Sequence, residues 1–194
     1  MLNRDIIKRV AAKYEIKDKE VELFSRDFGT PIRQRGYLQR GELLDIVGWK
    51  SARQTPNAGE NEAKTVRCVT RFAFQIAKET PAAAVHLLSY LKGVQVRMAS
   101  AILAVFDPRR YTVMDKRAWK TLQTLQRRDE TRVPLPTTEP FSETHLDNPD
   151  IFSQYLCCCR ELAARHKVDL RTLDRCLWVS NGRHPAQVAG VDDC

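Results

Sequence analysis

Leu91-Lys92-Gly93-Val94-Gln95-Val96-Arg97-Met98-Ala99-Ser100-Ala101-Ile102-Leu103, followed across a short proline-containing stretch by Tyr111-Thr112-Val113-Met114-Asp115, is the run whose reading decides the fold. Upstream, Thr80-Pro81 sets an N-cap residue before a proline at the first helical position, where the missing amide hydrogen costs nothing. The pattern predicts a helix over 81–91, a break at Lys92-Gly93 and a second helix over 94–106. A glycine free to take positive φ allows the two helices to turn back on one another as a helix-hairpin-helix. Val94, Val96, Met98, Ala99, Ala101, Ile102, Leu103, Val105 and Phe106 make the second helix apolar nearly all round, which predicts a buried central element. Its N-terminus faces outward. There the orphan amides and the helix dipole offer an anion site, with Lys92 and Arg97 adding charge beside it.

Working outward, helical periodicity dominates and strand-length alternation is scarce, so the chain is read as all-α. Helices are predicted over 3–13, 16–28, 36–49, 58–77, 81–91, 94–106, 116–127, 149–165 and 170–180, with loops over 51–60 and 129–148. The second loop is long for a compact domain and reads as a functional loop or a connector. The domain reading is one unit over 1–194, with a functional segment over 80–128.

The 194 residues, 43% of them hydrophobic, suffice for a full core without disulfide staples. The net charge of +8 favours an acidic partner, nucleic acid or an anionic membrane surface, and equally fits a merely soluble basic protein. No stretch approaches the roughly 20 apolar residues of a membrane span. The mixed charges of Met1-Leu2-Asn3-Arg4-Asp5 do not read as a signal peptide, so an intracellular, cytoplasmic protein is expected. The six cysteines lack disulfide-framework or zinc spacings, and Cys159 continues an apolar helical stripe with Phe152, Tyr155, Leu156, Leu162 and Ala163. His86, His145, His166 and His184 show no metal-ligand spacing.

The hairpin resembles that of the helix-hairpin-helix DNA glycosylases, the superfamily of endonuclease III and the adenine and 8-oxoguanine glycosylases. Their hairpin reads approximately Leu-Pro-Gly-Val-Gly-x-Lys-Thr-Ala, and Leu91 to Ala99 follows it. In that family a catalytic aspartate follows 18 residues after the position held here by Arg97, and Asp115 has that spacing, reached through Pro108, Tyr111 and Val113. The match covers about residues 80–125. It implies two helical subdomains flanking a cleft, double-stranded DNA as partner, a monomer, and excision of a flipped base by cleavage of its N-glycosidic bond. Asp115 would stabilise the sugar cation and orient or deprotonate water. Lys92, Gly93, Val94, Gln95, Arg97, Lys116 and Arg117 would hold DNA. A sodium or potassium ion would sit on the main-chain carbonyls of Ser89, Leu91 and Val94. No other cofactor is implied, and the cysteines do not resemble the iron–sulfur loop of some relatives.

Three departures shape that expectation. Gln95 replaces the second hairpin glycine, Lys92 replaces a common proline, and Arg97 stands where bifunctional members carry a Schiff-base lysine. A guanidinium that stays protonated cannot act as that amine, so the enzyme reads as monofunctional. Plainer readings stand beside these. Asp115 before Lys116-Arg117-Ala118-Trp119 is also a good helix N-cap, and Gly93 a plain C-cap. The basic run Arg109, Arg110, Lys116, Arg117, Lys120, Arg127 and Arg128 is either a solvated face or a phosphate-tracking surface. The base pocket is placed near Trp49, Lys50, Arg53 and Glu42, with Glu42 or Asp45 as a second acid; Trp49 reads equally as core, and Trp119 and Trp178 read as core. Alternatives from other classes are a non-catalytic DNA-binding protein of the same fold and a protein-interaction domain.

Overall fold

The computed structural model describes residues 1–135 and 146–190. Among them every regular element is helical: α1 (Arg4–Ala11), α2 (Asp18–Leu23), α3 (Arg26–Arg35), α4 (Arg40–Ser51), a 3-10 turn (Ala52–Gln54), α5 (Thr55–Gly59), α6 (Ala63–Ile76), α7 (Pro81–Leu88), α8 (Val96–Phe106), α9 (Lys116–Arg127), α10 (Pro149–Arg165), α11 (Leu170–Ser180) and α12 (Pro185–Ala189). The last long helices, α9, α10 and α11, begin and end where periodicity and caps place them. Asp115, Asn148 and Asp169 each accept a backbone N–H in the first turn of the helix that follows, satisfying amides that have no intrahelical partner.

Three expectations are corrected. The helix read over 16–28 is two helices, because the Ser25 side chain accepts the Phe28 N–H at 3.1 Å and caps a new one. That new helix, α3, runs through Pro31, which forfeits one intrahelical bond, and ends where Gly36 takes φ 74°. The loop read over 51–60 is the 3-10 turn and α5, with Pro56 in the first turn of α5. A short helix, α12, follows His184, whose ring accepts the Ala186 N–H. Thr80 precedes α7 as expected, but its hydroxyl donates to the Ile76 carbonyl instead of capping.

Helix α8 is the central element: Val96 and every residue from Met98 to Val105 are buried. It packs against α3, α4, α7 and α10. Helices α1, α9, α11 and α12 pack around α11, and α10 touches α7, α8 and α11, so a single apolar core runs through both groups. Each fully buried Leu, Ile or Val there stabilises the fold by about 1.5–3 kcal/mol relative to exposure. Cys158 and Cys159 lie in that core, whereas Cys157 is exposed. Of the long loop, the near end is pinned where Gln126 exchanges two hydrogen bonds with the Leu135 backbone. Residues 136–145, His145 included, and Cys194 lie outside the described residues.

Candidate active site

Asp115 is delivered by an extended segment held at three points. The Ser100 hydroxyl of α8 accepts the Met114 N–H at 2.8 Å while donating to the Arg97 carbonyl at 2.7 Å. The Tyr155 hydroxyl of α10 donates to the Val113 carbonyl at 3.0 Å. Trp119, one turn into α9, is buried and lies nearly parallel to the Tyr155 ring, their centroids 6.2 Å apart. The Asp115 carboxylate then divides its oxygens. Oδ1 accepts the Arg117 N–H at 2.9 Å and caps α9, while Oδ2 accepts from Lys50 Nζ of α4 at 3.1 Å. Capping and cleft-facing roles therefore coexist in one side chain. The pair is neither sealed nor free: Lys50 is 18% exposed and Asp115 25%. Burial pushes the Asp115 carboxyl up, but the Lys50 charge, the Arg117 amide and the Lys50 hydrogen bond outweigh it and hold the group below its usual value.

The pair forms a wall common to two recesses. The larger, of about 530 Å³, lies against α11 and the chain between α1 and α2, and is lined by Tyr14, Glu20, Trp49, Val113, Asp174 and Trp178 among others. Its walls are aromatic. Tyr14 meets Trp178 edge-on at 5.2 Å, and Phe24 meets Trp49 edge-on at 5.5 Å. The Arg117 guanidinium lies 4.1 Å over the Trp178 ring. Below them runs a buried ionic network. Glu20 Oε1 accepts from Arg171 at 2.7 Å and Arg175 at 2.9 Å, and Oε2 accepts the Tyr14 hydroxyl at 2.8 Å. Arg171 also pairs with Asp174 and rests over Phe24 and Trp49. Burial pushes the Asp174 carboxyl up to about 6, against the pull of Arg171 and Lys50, with the Asp115 charge adding to the rise. One cleft thus holds a carboxylate kept ionised and a carboxyl kept protonated into mildly acidic pH, the division on which acid and base roles are assigned.

The smaller recess, of about 200 Å³, is lined by Lys50, Ser51, Arg53, Gln54, Gly93, Gln95, Arg97, Met98 and Asp115. It joins the Asp115 carboxylate to the turn between α7 and α8. Gly93 takes φ 76°, and a Cβ there would lie 2.9 Å from the Ala58 nitrogen and 3.0 Å from the Gln54 oxygen. Glycine is therefore required twice over, for conformation and for close packing on the helical segment 52–59. Asn61, itself buried, accepts the Lys92 N–H and donates to the Lys92 carbonyl, bracing the turn from outside. The first turn of α8 has no side-chain cap, and Gln95 before it is exposed.

The structure brings Asp115, Lys50, Trp49, Arg53, Gly93, Gln95 and Arg97 together, and sets Lys116 and Arg117 at the start of α9 beside them. Arg97 also pairs with Asp147, at 3.6 Å. Lys92 points away to an exposed ion pair with Glu60 at 2.7 Å. Several expectations are corrected. Glu42 is no pocket acid: it pairs with Arg35 and accepts the Gln39 N–H at the start of α4. Asp45 pairs with Lys19 at the surface. Trp178 lines the cleft and is only partly buried. Arg109 and Arg110 border a separate cleft with Arg26 and Arg33, so the basic run is not one surface. Tyr14, Glu20, Arg171, Asp174 and Arg175 escaped the sequence reading. Their one signal is the spacing of Arg171, Asp174 and Arg175, which puts three charges on one face of an otherwise apolar helix. No family model matches the chain, and neither any curated protein nor any solved structure does.

Proposed function

We propose that this chain is a DNA glycosylase of the helix-hairpin-helix type, cleaving the N-glycosidic bond of a flipped damaged or modified base. The observation that carries the proposal is the position of Asp115: an ionised carboxylate at the junction of an aromatic cleft and the recess beside the glycine turn. In this reading α7, the turn at Gly93 and α8 form the hairpin, and the cleft separates the α1, α9, α11 and α12 group from the helices around α8.

Double-stranded DNA lies across the turn. A phosphate accepts from the uncapped first-turn amides of α8, where the helix dipole favours negative charge. Lys92, Arg97, Lys116 and Arg117 add the sequence-independent attraction. Leu91, whose carbonyl accepts the Val94 N–H at 3.0 Å, keeps a second lone pair, so the carbonyls of Ser89, Leu91 and Val94 fit the monovalent cation that the resemblance implies. That ion would supply positive charge beside the phosphate.

The extruded base enters the aromatic cleft, at an unstacking cost of a few kcal/mol that is smallest for damaged or mispaired bases. Tyr14, Trp49 and Trp178 offer stacking faces. As the glycosidic bond lengthens, positive charge develops on the sugar and the Asp115 carboxylate stabilises it, a contribution of about 3 kcal/mol. Asp174 in its protonated form donates to the departing base. Arg97 holds phosphate and does not attack the sugar. Among the described residues no helix is long and apolar enough to cross a membrane, and the enzyme acts as a monomer.

The test is a screen of duplexes bearing different damaged or modified bases, with released base quantified by chromatography. Release from at least one duplex, lost in Asp115→Asn, is the expected result. Tight duplex binding with no release from any probe would replace the proposal with the non-catalytic DNA-binding reading.

A further inference from the structure

The reaction just described leaves Lys50 without a chemical role. Its amine comes from the last turn of α4, outside the hairpin, and borders both recesses. It lies 3.1 Å from Asp115 Oδ2 and is largely withdrawn from water. The hairpin position at which the resemblance expects a nucleophilic lysine holds Arg97, whose guanidinium cannot serve. Lys50 therefore puts a primary amine, from a different helix, beside the carboxylate that faces the sugar. A lysine amine placed next to a proton acceptor is the arrangement that condenses with carbonyl carbon.

We propose that Lys50 is an amine nucleophile toward C1′ of an abasic deoxyribose, giving the chain a lyase activity that nicks abasic DNA. The proposal rests on the reading that the cleft takes a DNA sugar. The Lys50 ammonium passes one proton along its hydrogen bond to Asp115, and the neutral amine adds to the C1′ aldehyde of the ring-opened sugar. Asp115 returns the proton to the hydroxyl so formed, which leaves as water as the C1′=N bond closes. The resulting iminium loses a C2′ proton to Asp115. That C–H electron pair becomes the C2′=C3′ bond, and the C3′–O bond breaks with its pair leaving on the 3′-phosphate. Water hydrolyses the imine, freeing Lys50, and Asp115 gives its proton to solvent. No oxidant or reductant takes part.

The experiment uses the full chain and a duplex carrying one abasic site, with sodium borohydride to reduce the imine to a stable amine. The expected result is a covalent protein–DNA adduct that peptide mass spectrometry maps to Lys50. Without borohydride, the expected product is a strand nicked on the 3′ side of the abasic site. Lys50→Arg, which keeps the charge pair with Asp115, and Lys50→Gln both lose the adduct. An adduct no greater than that of an unrelated basic protein, one mapping to another amine, or one retained in Lys50→Arg would overturn the proposal. Mapping in the unsubstituted chain does not depend on how either variant folds. Base release without a Lys50 adduct would end this inference and leave the glycosylase reading standing. A Lys50 adduct with no base release from any duplex would do the reverse.

Discussion

Replacing Asp115 by asparagine separates the two tasks of this side chain. Asparagine is as good an N-cap as aspartate, so the bond from the Arg117 N–H to the side-chain oxygen survives and α9 keeps its start. What is lost is the charge facing Lys50, a partly exposed pair worth about 1 kcal/mol. For a chain of this length that lowers Tm by about 2–4 °C. The catalytic loss is larger. Removing a preorganised group from developing charge costs about 3 kcal/mol, or a few hundredfold in rate. Asp115→Ala additionally deletes the cap, costing about 1 kcal/mol more in stability with little further loss of rate. The assays are single-turnover base release on a duplex found by the screen, and thermal unfolding by circular dichroism. There is a pH signature as well. Because the folded Asp115 carboxyl lies below its ordinary value, its stabilisation is present above that ordinary value and is lost as pH falls through the folded one. Asp115→Asn removes that part of the acid limb. Base release at the unsubstituted rate by Asp115→Asn would refute the catalytic assignment, whatever the stability data show.

Other substitutions probe the frame around the site. Gly93→Ala forces a Cβ against the Ala58 nitrogen at a residue with φ 76°, and is expected to destabilise by about 2–4 kcal/mol, read from the denaturant midpoint; a midpoint unchanged would mean the turn is looser than described. Glu20→Gln leaves Arg171 and Arg175 short of a buried countercharge and is expected to cost about 3 kcal/mol in the same measurement, with an unshifted midpoint counting against the network. If Asp174 donates a proton to the leaving base, release slows as pH rises through about 6, and Asp174→Asn abolishes that limb of the pH profile; a limb retained in Asp174→Asn assigns it elsewhere. Stability follows the same sign, since a carboxyl whose folded value is raised favours the fold at low pH and loses that contribution as pH rises from about 4 to about 6.

The helices and the carboxylate were legible in the sequence; the cleft was not. Helices α9, α10 and α11 are each announced by a capping side chain, an interaction that spans only two or three residues. The buried character of α8 follows from apolar residues on every face. The break at Ser25 was missed because periodicity continues across it, and a cap inside an apolar pattern carries little weight until its hydrogen bond is seen. Helix α5 was hidden by Pro56, Asn57 and Gly59, which read as loop residues but are tolerated in a single short turn. The Lys50–Asp115 pair joins residues 65 positions apart, and the ring of Tyr14, Glu20, Arg171 and Asp174 joins the two ends of the chain. Such pairings come from how α1, α4, α9 and α11 pack, which no local spacing records. The same holds for Glu42, whose partner Arg35 lies in a helix that the sequence did not reveal.

The most direct test of the central claim is a structure of the chain bound to duplex DNA carrying a cationic pyrrolidine in place of one sugar, a mimic of the charged sugar at the point of bond cleavage. The account predicts the pyrrolidine nitrogen at roughly 3 Å from the Asp115 carboxylate, hydrogen-bonding distance for a positioned catalytic group, with a flanking phosphate on the first turn of α8. DNA seated instead on the cleft of Arg26, Arg33, Arg109 and Arg110, with Asp115 facing no sugar, would contradict it.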